Sequence, residues 1–213
     1  MERGTRRAAV RAHNYLERQR FMRRIILQDF VSANGLAAGP NDSVDFIPAA
    51  LQGDRSFGDR QMAFIDSVDT MLLGRATYEM FAGHWPNVTS GDDKPFADKV
   101  NALQKVVVSA SLQHAPWGNG KKWDDARIVK GDLAKAVAAV KREPGKDIVL
   151  WGSLTLGQAL MANNLIDEYQ LIVLPVFLPN GRPLFAEPRA LGLRLVDTRS
   201  FDRGGVLLAY TTG

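Results

Sequence analysis

The sequence has no cysteine, which removes disulfides, thiolate nucleophiles and thiolate metal sites, and leaves no use for an oxidising compartment. Only three histidines are present, His13, His84 and His114. They are scattered and lack paired carboxylates nearby, so a zinc site is not expected, and His84 beside Trp85 reads first as a loop or rim residue. No apolar run approaches the roughly 18 residues that cross a membrane. The amino-terminal segment also lacks the uninterrupted apolar centre of a secretory signal, and a cytoplasmic location is the resulting expectation. Three chemical signatures are missing as well: no GxGxxG follows a strand, and there is neither a GxxxxGK[ST] phosphate loop nor a GxSxG nucleophile elbow.

What is present is enough for one globular core, with 46% hydrophobic and 23% charged residues along 213 positions. The formal charge of +4 is concentrated at the start: residues 1–21 hold six arginines against two glutamates, leaving 21 basic and 21 acidic residues in the remainder. The expected organisation is a basic extension over 1–21, with helix-forming composition from Ala8 to Phe21, and a neutral domain over 22–213. A basic tail can bind phosphate backbones, but a solvated extension is the simpler reading.

From Met22 onward, short β-branched runs alternate with segments of helical period, the pattern of an α/β fold. Strands are expected at Arg24–Val31, Thr70–Gly74, Lys105–Ser109, Arg127–Val129, Asp147–Trp151 and Asp167–Val176. Helices are expected at Ser56–Ser67, with Phe57, Ala63, Phe64 and Val68 on its apolar face, from Arg75 to Ala82, from Pro95, from Leu133 to Lys141 after the cap Asp132, and from Ser153 to about Asn163. Ser153 is read as the cap of that last helix. Residues 32–41 and 84–94 read as loops. A closing hairpin, Leu193–Arg199 and Val206–Thr211, predicts antiparallel strands at one side of an otherwise parallel, mixed sheet.

Three strands end in a small residue: Leu73-Gly74-Arg75, Val108-Ser109 and Trp151-Gly152-Ser153. If they are parallel neighbours, their carboxyl ends line one rim, where open α/β sheets bind ligands. Bare glycine and serine let phosphates approach the main chain, and the helices that follow aim unpaired amides at the negative charge. Arg75 adds a guanidinium at the positive end of a helix, a place that disfavours cations unless an anion joins them.

The stretches SANG (32–35), DTMLLGRATYEMFAGHWP (69–86), KVVVS (105–109), IVLWGSLTL (148–156) and LIDEYQLIVLPVFLPNGRPLF (165–185) together resemble the dihydrofolate-reductase-like family that includes the reductase domain of the riboflavin-biosynthesis deaminase-reductase. The likeness runs in order from about Met22 to Thr212 and is closest to the stand-alone branch of that family. It implies a three-layer dihydrofolate-reductase-like fold and hydride transfer from NADPH to a small heterocyclic or carbonyl-like substrate, of the 5-amino-6-(5-phosphoribosylamino)uracil reductase or dihydrofolate reductase type. By the same likeness Gly74, Arg75 and Thr77 hold the phosphate end of the cofactor, Ser109 the 2′-phosphate, Gly152, Ser153, Leu154 and Thr155 the pyrophosphate, and Phe30 and Val31 border the nicotinamide. Gln28, Asp45, Phe46 and Trp85 are the candidate substrate contacts.

Departures accompany the likeness. Asn34 stands where the family commonly has aspartate, and Leu150 where the pathway reductases carry a glutamate toward substrate. Asp59 and Asp66, on the first long helix, have no clear inward position and read as solvated. Two other classes of function stay open, a protein that senses NADPH without turnover and a nucleic-acid binder acting through the basic tail. A homodimer is compatible with the likeness, with the apolar strand Leu171–Phe177 as a candidate surface and burial within the monomer as the simpler reading.

Overall fold

The computed structural model describes residues 22–118, 124–185 and 191–212; the expected helix within 1–21 lies outside them. Ten strands are present among these residues: β1 (Ile25–Ser32), β2 (Leu36–Ala38), β3 (Val68–Gly74), β4 (Gln104–Val108), β5 (Arg127–Val129), β6 (Asp147–Trp151), β7 (Glu168–Leu174), β8 (Arg182–Pro183), β9 (Leu193–Ser200) and β10 (Val206–Thr212). Six α-helices accompany them: α1 (Phe46–Leu51), α2 (Arg55–Ile65), α3 (Arg75–His84), α4 (Lys94–Ala102), α5 (Leu133–Arg142) and α6 (Leu154–Ala162).

Eight strands form one sheet in the order β5-β4-β3-β6-β1-β7-β10-β9, parallel as far as β7 and antiparallel over the closing hairpin. Alternation along each strand sorts its side chains into two layers. Ile25, Leu27, Leu72, Ile148 and Leu150 pack with Val137 and Val140 of α5 and Leu156 and Leu160 of α6. Their neighbours Ile26, Met71, Leu73, Val149 and Trp151 pack on the other face with Phe64, Ile65, Tyr78 and Val100 from α2, α3 and α4. The three-layer mixed fold is therefore the one the sequence pattern and the family likeness imply.

Local chemistry explains most of the element boundaries. Asp132 accepts from the Lys135 N–H at 2.8 Å and starts α5, whose Val137 and Val140 turn inward before Pro144-Gly145 ends it. The inward stripe of α2 differs from expectation: Gln61, Phe64 and Ile65 are buried, while Ala63 is exposed. Gln61 belongs inside because its amide donates to Gln28 Oε1 at 2.9 Å. The expected loop over 32–41 contains β2 and a 3-10 turn at Pro40–Asp42, and β2 pairs with β8. That pairing needs Gly181, since a Cβ there would lie 2.0 Å from the Ala38 carbonyl oxygen. The second expected loop also carries a 3-10 turn, Trp85–Asn87.

The strand proposed as a dimer surface lies between β1 and β10, with Ile172 and Leu174 buried. Only its far end emerges, at the exposed Phe177; other exposed large apolar residues are Leu195 and Val196 on edge strand β9.

Candidate nucleotide-binding rim

Strands β4, β3 and β6 are adjacent and parallel, so Ser109, Gly74 and Gly152 stand side by side at their carboxyl ends. Two helices begin there. Neither α3, entered through Gly74, nor α6, entered through Ser153, has a side-chain cap. The first helical bond of α6 runs from the Gly157 N–H to the Ser153 carbonyl at 2.8 Å, so the N–H groups before it point out of the helix start.

Ser153 is not the cap expected of it. Gly152 and Ser153 are both left-handed, with φ of +52° and +58°. For serine this conformation costs about 1–2 kcal/mol, and two hydrogen bonds to α3 hold it: Ser153 Oγ accepts from the Gly74 N–H at 3.0 Å, and the Ser153 N–H donates to Thr77 Oγ1 at 2.9 Å. The passage from left-handed turn to right-handed helix gathers successive N–H groups into a concavity of the kind that receives anions. Gly152 keeps that concavity open; a Cβ there would lie 3.4 Å from Thr77 Cγ2, on a backbone that strains any other residue.

At the neighbouring helix start Arg75 is exposed. Its Nε donates to Glu79 Oε1 at 2.7 Å and its Nη1 to Ser111 Oγ at 3.1 Å. Ser109 is largely buried, and its hydroxyl accepts from the Leu112 N–H at 3.1 Å. Ser111, absent from the sequence reading, is thus the serine that reaches the guanidinium. Arg75 stands 36 positions earlier in the chain, and the pairing is invisible without the turn after β4.

The Gly152-Ser153 turn after β6 opens a split in the sheet. β1 pairs with β6 only from Ile25–Ile148 to Gln28–Trp151, but with β7 it continues to Ser32–Leu174. Gly152 and Ser153 swing the chain away, leaving the β6-facing edge of β1 from Asp29 to Ser32 without a strand partner. Phe30 and Val31 lie on this edge. The helices after β1 and after β6 cover opposite faces, so the split lies between them, where open α/β sheets receive ligands.

Asp29 is the one ionisable residue in this edge. It is 5% exposed; Oδ1 accepts from the Phe30 N–H at 2.9 Å and Oδ2 is buried with no partner. Burial pushes its carboxyl up to about 7, against the opposing pull of the Phe30 N–H. The signal in the sequence is the one charged residue of the buried strand IILQDFVS.

The four candidate substrate residues fall in different settings. Gln28 is 1% exposed, and both amide heteroatoms are bonded within the core, Oε1 accepting from Trp151 Nε1 at 2.7 Å and from Gln61, and Nε2 donating to Gln170. It shapes the split by fixing Trp151 and has no free polar atom to offer a ligand. Asp45 is exposed before α1 and accepts from Ser43 Oγ at 2.8 Å. Phe46 opens α1, an unexpected helix, and packs with Phe30 and Phe57 around the buried Ile172, Leu174 and Phe201. Trp85 is half-buried against Phe96, which stands 6.1 Å from the Trp151 ring, and the Trp85 indole N–H is buried without an acceptor. Two aromatic groups thus touch α2, Phe30 with Phe57 and, separately, Trp151 with Phe64, Phe96 and Trp85.

The departures from the family pattern acquire physical reasons. Asn34 Nδ2 donates to the Leu178 carbonyl at 2.9 Å, and its Oδ1 accepts from Ser32 Oγ and the Leu178 N–H. A carboxylate could not make the first of these bonds. Leu150 is wholly buried in the α5/α6 layer. Asp59 and Asp66 are exposed, and Asp66 pairs with Lys99.

The residues at the rim fit a phosphorylated dinucleotide: two uncapped helix starts, a bare glycine, an exposed arginine and an open strand edge in one line. A concavity of about 470 Å³ elsewhere, lined by Met22, Arg23, Arg142 and Asp147, lies at the amino ends of β1 and β6. Its Arg23 is committed to Asp69, Thr70 and Lys146, and this concavity lies at the opposite end of the strands from the Gly74, Ser109 and Gly152 rim. Among the described residues no cluster of His, Asp and Glu suits a metal ion, and no helix is long and apolar enough to cross a membrane.

Known proteins share this fold. The family described as RibD C-terminal domain matches residues 23–207. The uncharacterised protein YyaP of Bacillus subtilis is 30% identical over 190 residues, covering 88% of this chain and 94% of that protein. A structure from Shewanella sp. PV-4, assigned to riboflavin biosynthesis, shares the fold with a TM-score of 0.68 at 21% identity, covering 89% of this chain and 99% of its own. A pyrimidine reductase-like protein of Corynebacterium diphtheriae shares it with a TM-score of 0.63 at 17% identity, covering 90% and 92%.

Proposed function

Because the chain belongs to the RibD C-terminal domain family, we propose that it is an NADPH-dependent reductase acting on a small heterocyclic or carbonyl-like substrate. The observation that carries this reading is the alignment of Gly74, Ser109 and Gly152 on three neighbouring strand ends, with an uncapped helix beginning at two of them. The cofactor, when bound, supplies the hydride. The chain's part is to bind, orient and exclude water.

In this reading the N–H groups of Leu154 and Thr155, with the Gly152-Ser153 turn, hold the pyrophosphate. Gly74 and Thr77 fix that turn from the side. Arg75 takes the 2′-phosphate with Ser111 and the nearby Ser109. Its bond to Glu79 is an exposed i,i+4 pair worth about 0.3–0.5 kcal/mol, whereas a charge-assisted bond to phosphate is worth about 1.5–3 kcal/mol, so the exchange favours the cofactor. Phe30 and Val31 border the nicotinamide along the open edge of β1. The substrate lies near the aromatic groups that touch α2, with Trp85 on one side and Phe46 and Asp45 at the start of α1 on the other.

One observation favours a second reading, a protein that binds NADPH as a sensor: Asn34 and Leu150 stand where reductases of this family carry acids. The test is loss of reduced-nicotinamide absorbance with a panel of oxidised pterins, pyrimidines and quinones. Turnover of any of these supports the reductase. Saturable NADPH binding without turnover supports the sensor, and absence of binding contradicts both. A gel shift with and without residues 1–21 tests the nucleic-acid alternative separately.

A further inference from the structure

The split between β1 and β6 holds a buried acid that none of the roles above uses. Asp29 lies one residue beyond the Gln28–Trp151 pair and opposite Leu171 of β7. Strand alternation puts it on the face shared by Leu27 and Val31, which pack with Leu156 and Leu160. One oxygen is held by the Phe30 N–H, and the other is buried without a partner. A buried polar atom left unsatisfied is uncommon and calls for a reason.

The elements around Asp29 supply no counter-charge. α6 contains no ionisable residue, and neither does β2. On β7, Glu168 is bonded by Arg24 and Gln170, and Tyr169 is buried in the core. On β6, Asp147 lies at the far end and is also bonded by Arg24. On β8, Arg182 reaches Asp42 and Thr155. The carboxyl is accordingly near the midpoint of its titration at neutral pH, raised by burial to about 7.

Resting on the reading that the nicotinamide lies along the open edge of β1, we infer that Asp29 is the counter-charge of the oxidised ring, favouring NADP⁺ over NADPH and linking their exchange to a proton. The nicotinamide ring becomes a cation when its hydride leaves. A cation beside a poorly solvated carboxyl favours the carboxylate. Binding of NADP⁺ to the protonated form therefore releases one proton from Asp29, giving a carboxylate–cation pair, whereas binding of the neutral reduced ring leaves that proton in place.

The experiment is calorimetric titration of the full chain with NADP⁺ and NADPH, in buffers of different ionisation enthalpy, from about pH 5.5 to about pH 8.5. The 2′-phosphate titrates in the same range but is common to both nucleotides and cancels in their ratio. For the native protein, Kd(NADP⁺)/Kd(NADPH) should fall about tenfold or more as pH rises, with proton release below pH 7 on binding NADP⁺ that exceeds the release on binding NADPH. In Asp29→Asn, of nearly the same shape, the ratio should not vary with pH. If both nucleotides bind and the native ratio is flat, or if its slope survives in Asp29→Asn, the inference is overturned while the cofactor reading stands. If neither binds, the cofactor reading fails and takes this one with it. Should Asp29→Asn not fold, the native proton release decides alone.

Discussion

Ser153 Oγ accepts the Gly74 N–H at 3.0 Å across 79 residues of sequence, and the Ser153 N–H is returned to Thr77 Oγ1 at 2.9 Å. These reciprocal bonds tie the start of α6 to the start of α3. They make one rigid rim of two helix ends that a dinucleotide would need at fixed separation. Ser153→Ala removes the first bond and leaves the backbone strain in place. A loss of about 1 kcal/mol in stability is expected by denaturant unfolding, together with weaker NADPH binding. Ser153→Gly also loses the bond but relieves the left-handed strain, so its stability should lie closer to that of the native protein.

Arg75→Ala should weaken NADPH about ten- to a hundredfold, the equivalent of about 1.5–3 kcal/mol. NADH, lacking the extra phosphate, should be nearly unaffected. Fluorescence titration with both nucleotides checks this, and equal losses would remove Arg75 from the 2′-phosphate. Glu79→Gln should leave NADPH binding intact or tighten it severalfold, because the competing partner of Arg75 loses its charge.

Gly152→Val should be worse than either. A branched residue at φ +52° is strained by about 1–3 kcal/mol, its Cβ meets Thr77 at 3.4 Å, and its methyl groups enter the phosphate concavity. Loss of detectable cofactor binding is expected even where a thermal melt still shows a folded protein.

Asp29 also makes a prediction about stability. Its folded-state value of about 7 lies above the ordinary 3.8, so between about pH 4 and pH 7 the native state holds a proton that the unfolded chain has released. Its contribution is greatest below pH 4 and falls as pH rises toward 7, by about 1.4 kcal/mol per pH unit at most. Asp29→Asn should therefore match the native protein near pH 4 and gain on it progressively up to about pH 7, with a constant difference above. Urea unfolding across this range measures it; a difference independent of pH would show that the Asp29 carboxyl has the same value folded and unfolded, and is not raised by burial.

Strands β3, β4 and β6 were legible in the sequence because each is a short apolar run, β-branched in β4 and β6, closed by a small residue, and their shared rim follows from parallel order. Helix α5 was legible from Asp132 and the inward valines. Helix α1 was not: Pro48 in its middle reads as a break, although it lies within the first turn, where its missing N–H has no helical partner to lose. The role of Ser153 was misread for a different reason. A serine before a helix ordinarily caps it, and only contacts from residues 76 and 79 positions away force it into the left-handed region. The Arg75–Ser111 contact and the split beside Asp29 likewise depend on where strands stop pairing, which composition and period do not encode.

The central claim is that the cofactor lies across the carboxyl ends of β4, β3, β6 and β1. Amide hydrogen exchange with and without saturating NADPH tests it most directly. Protection is predicted at Gly74–Thr77, Ser109–Ser111, Gly152–Leu156 and Asp29–Ser32 together. Protection confined to other segments, or none at a nucleotide concentration that saturates binding, would contradict it.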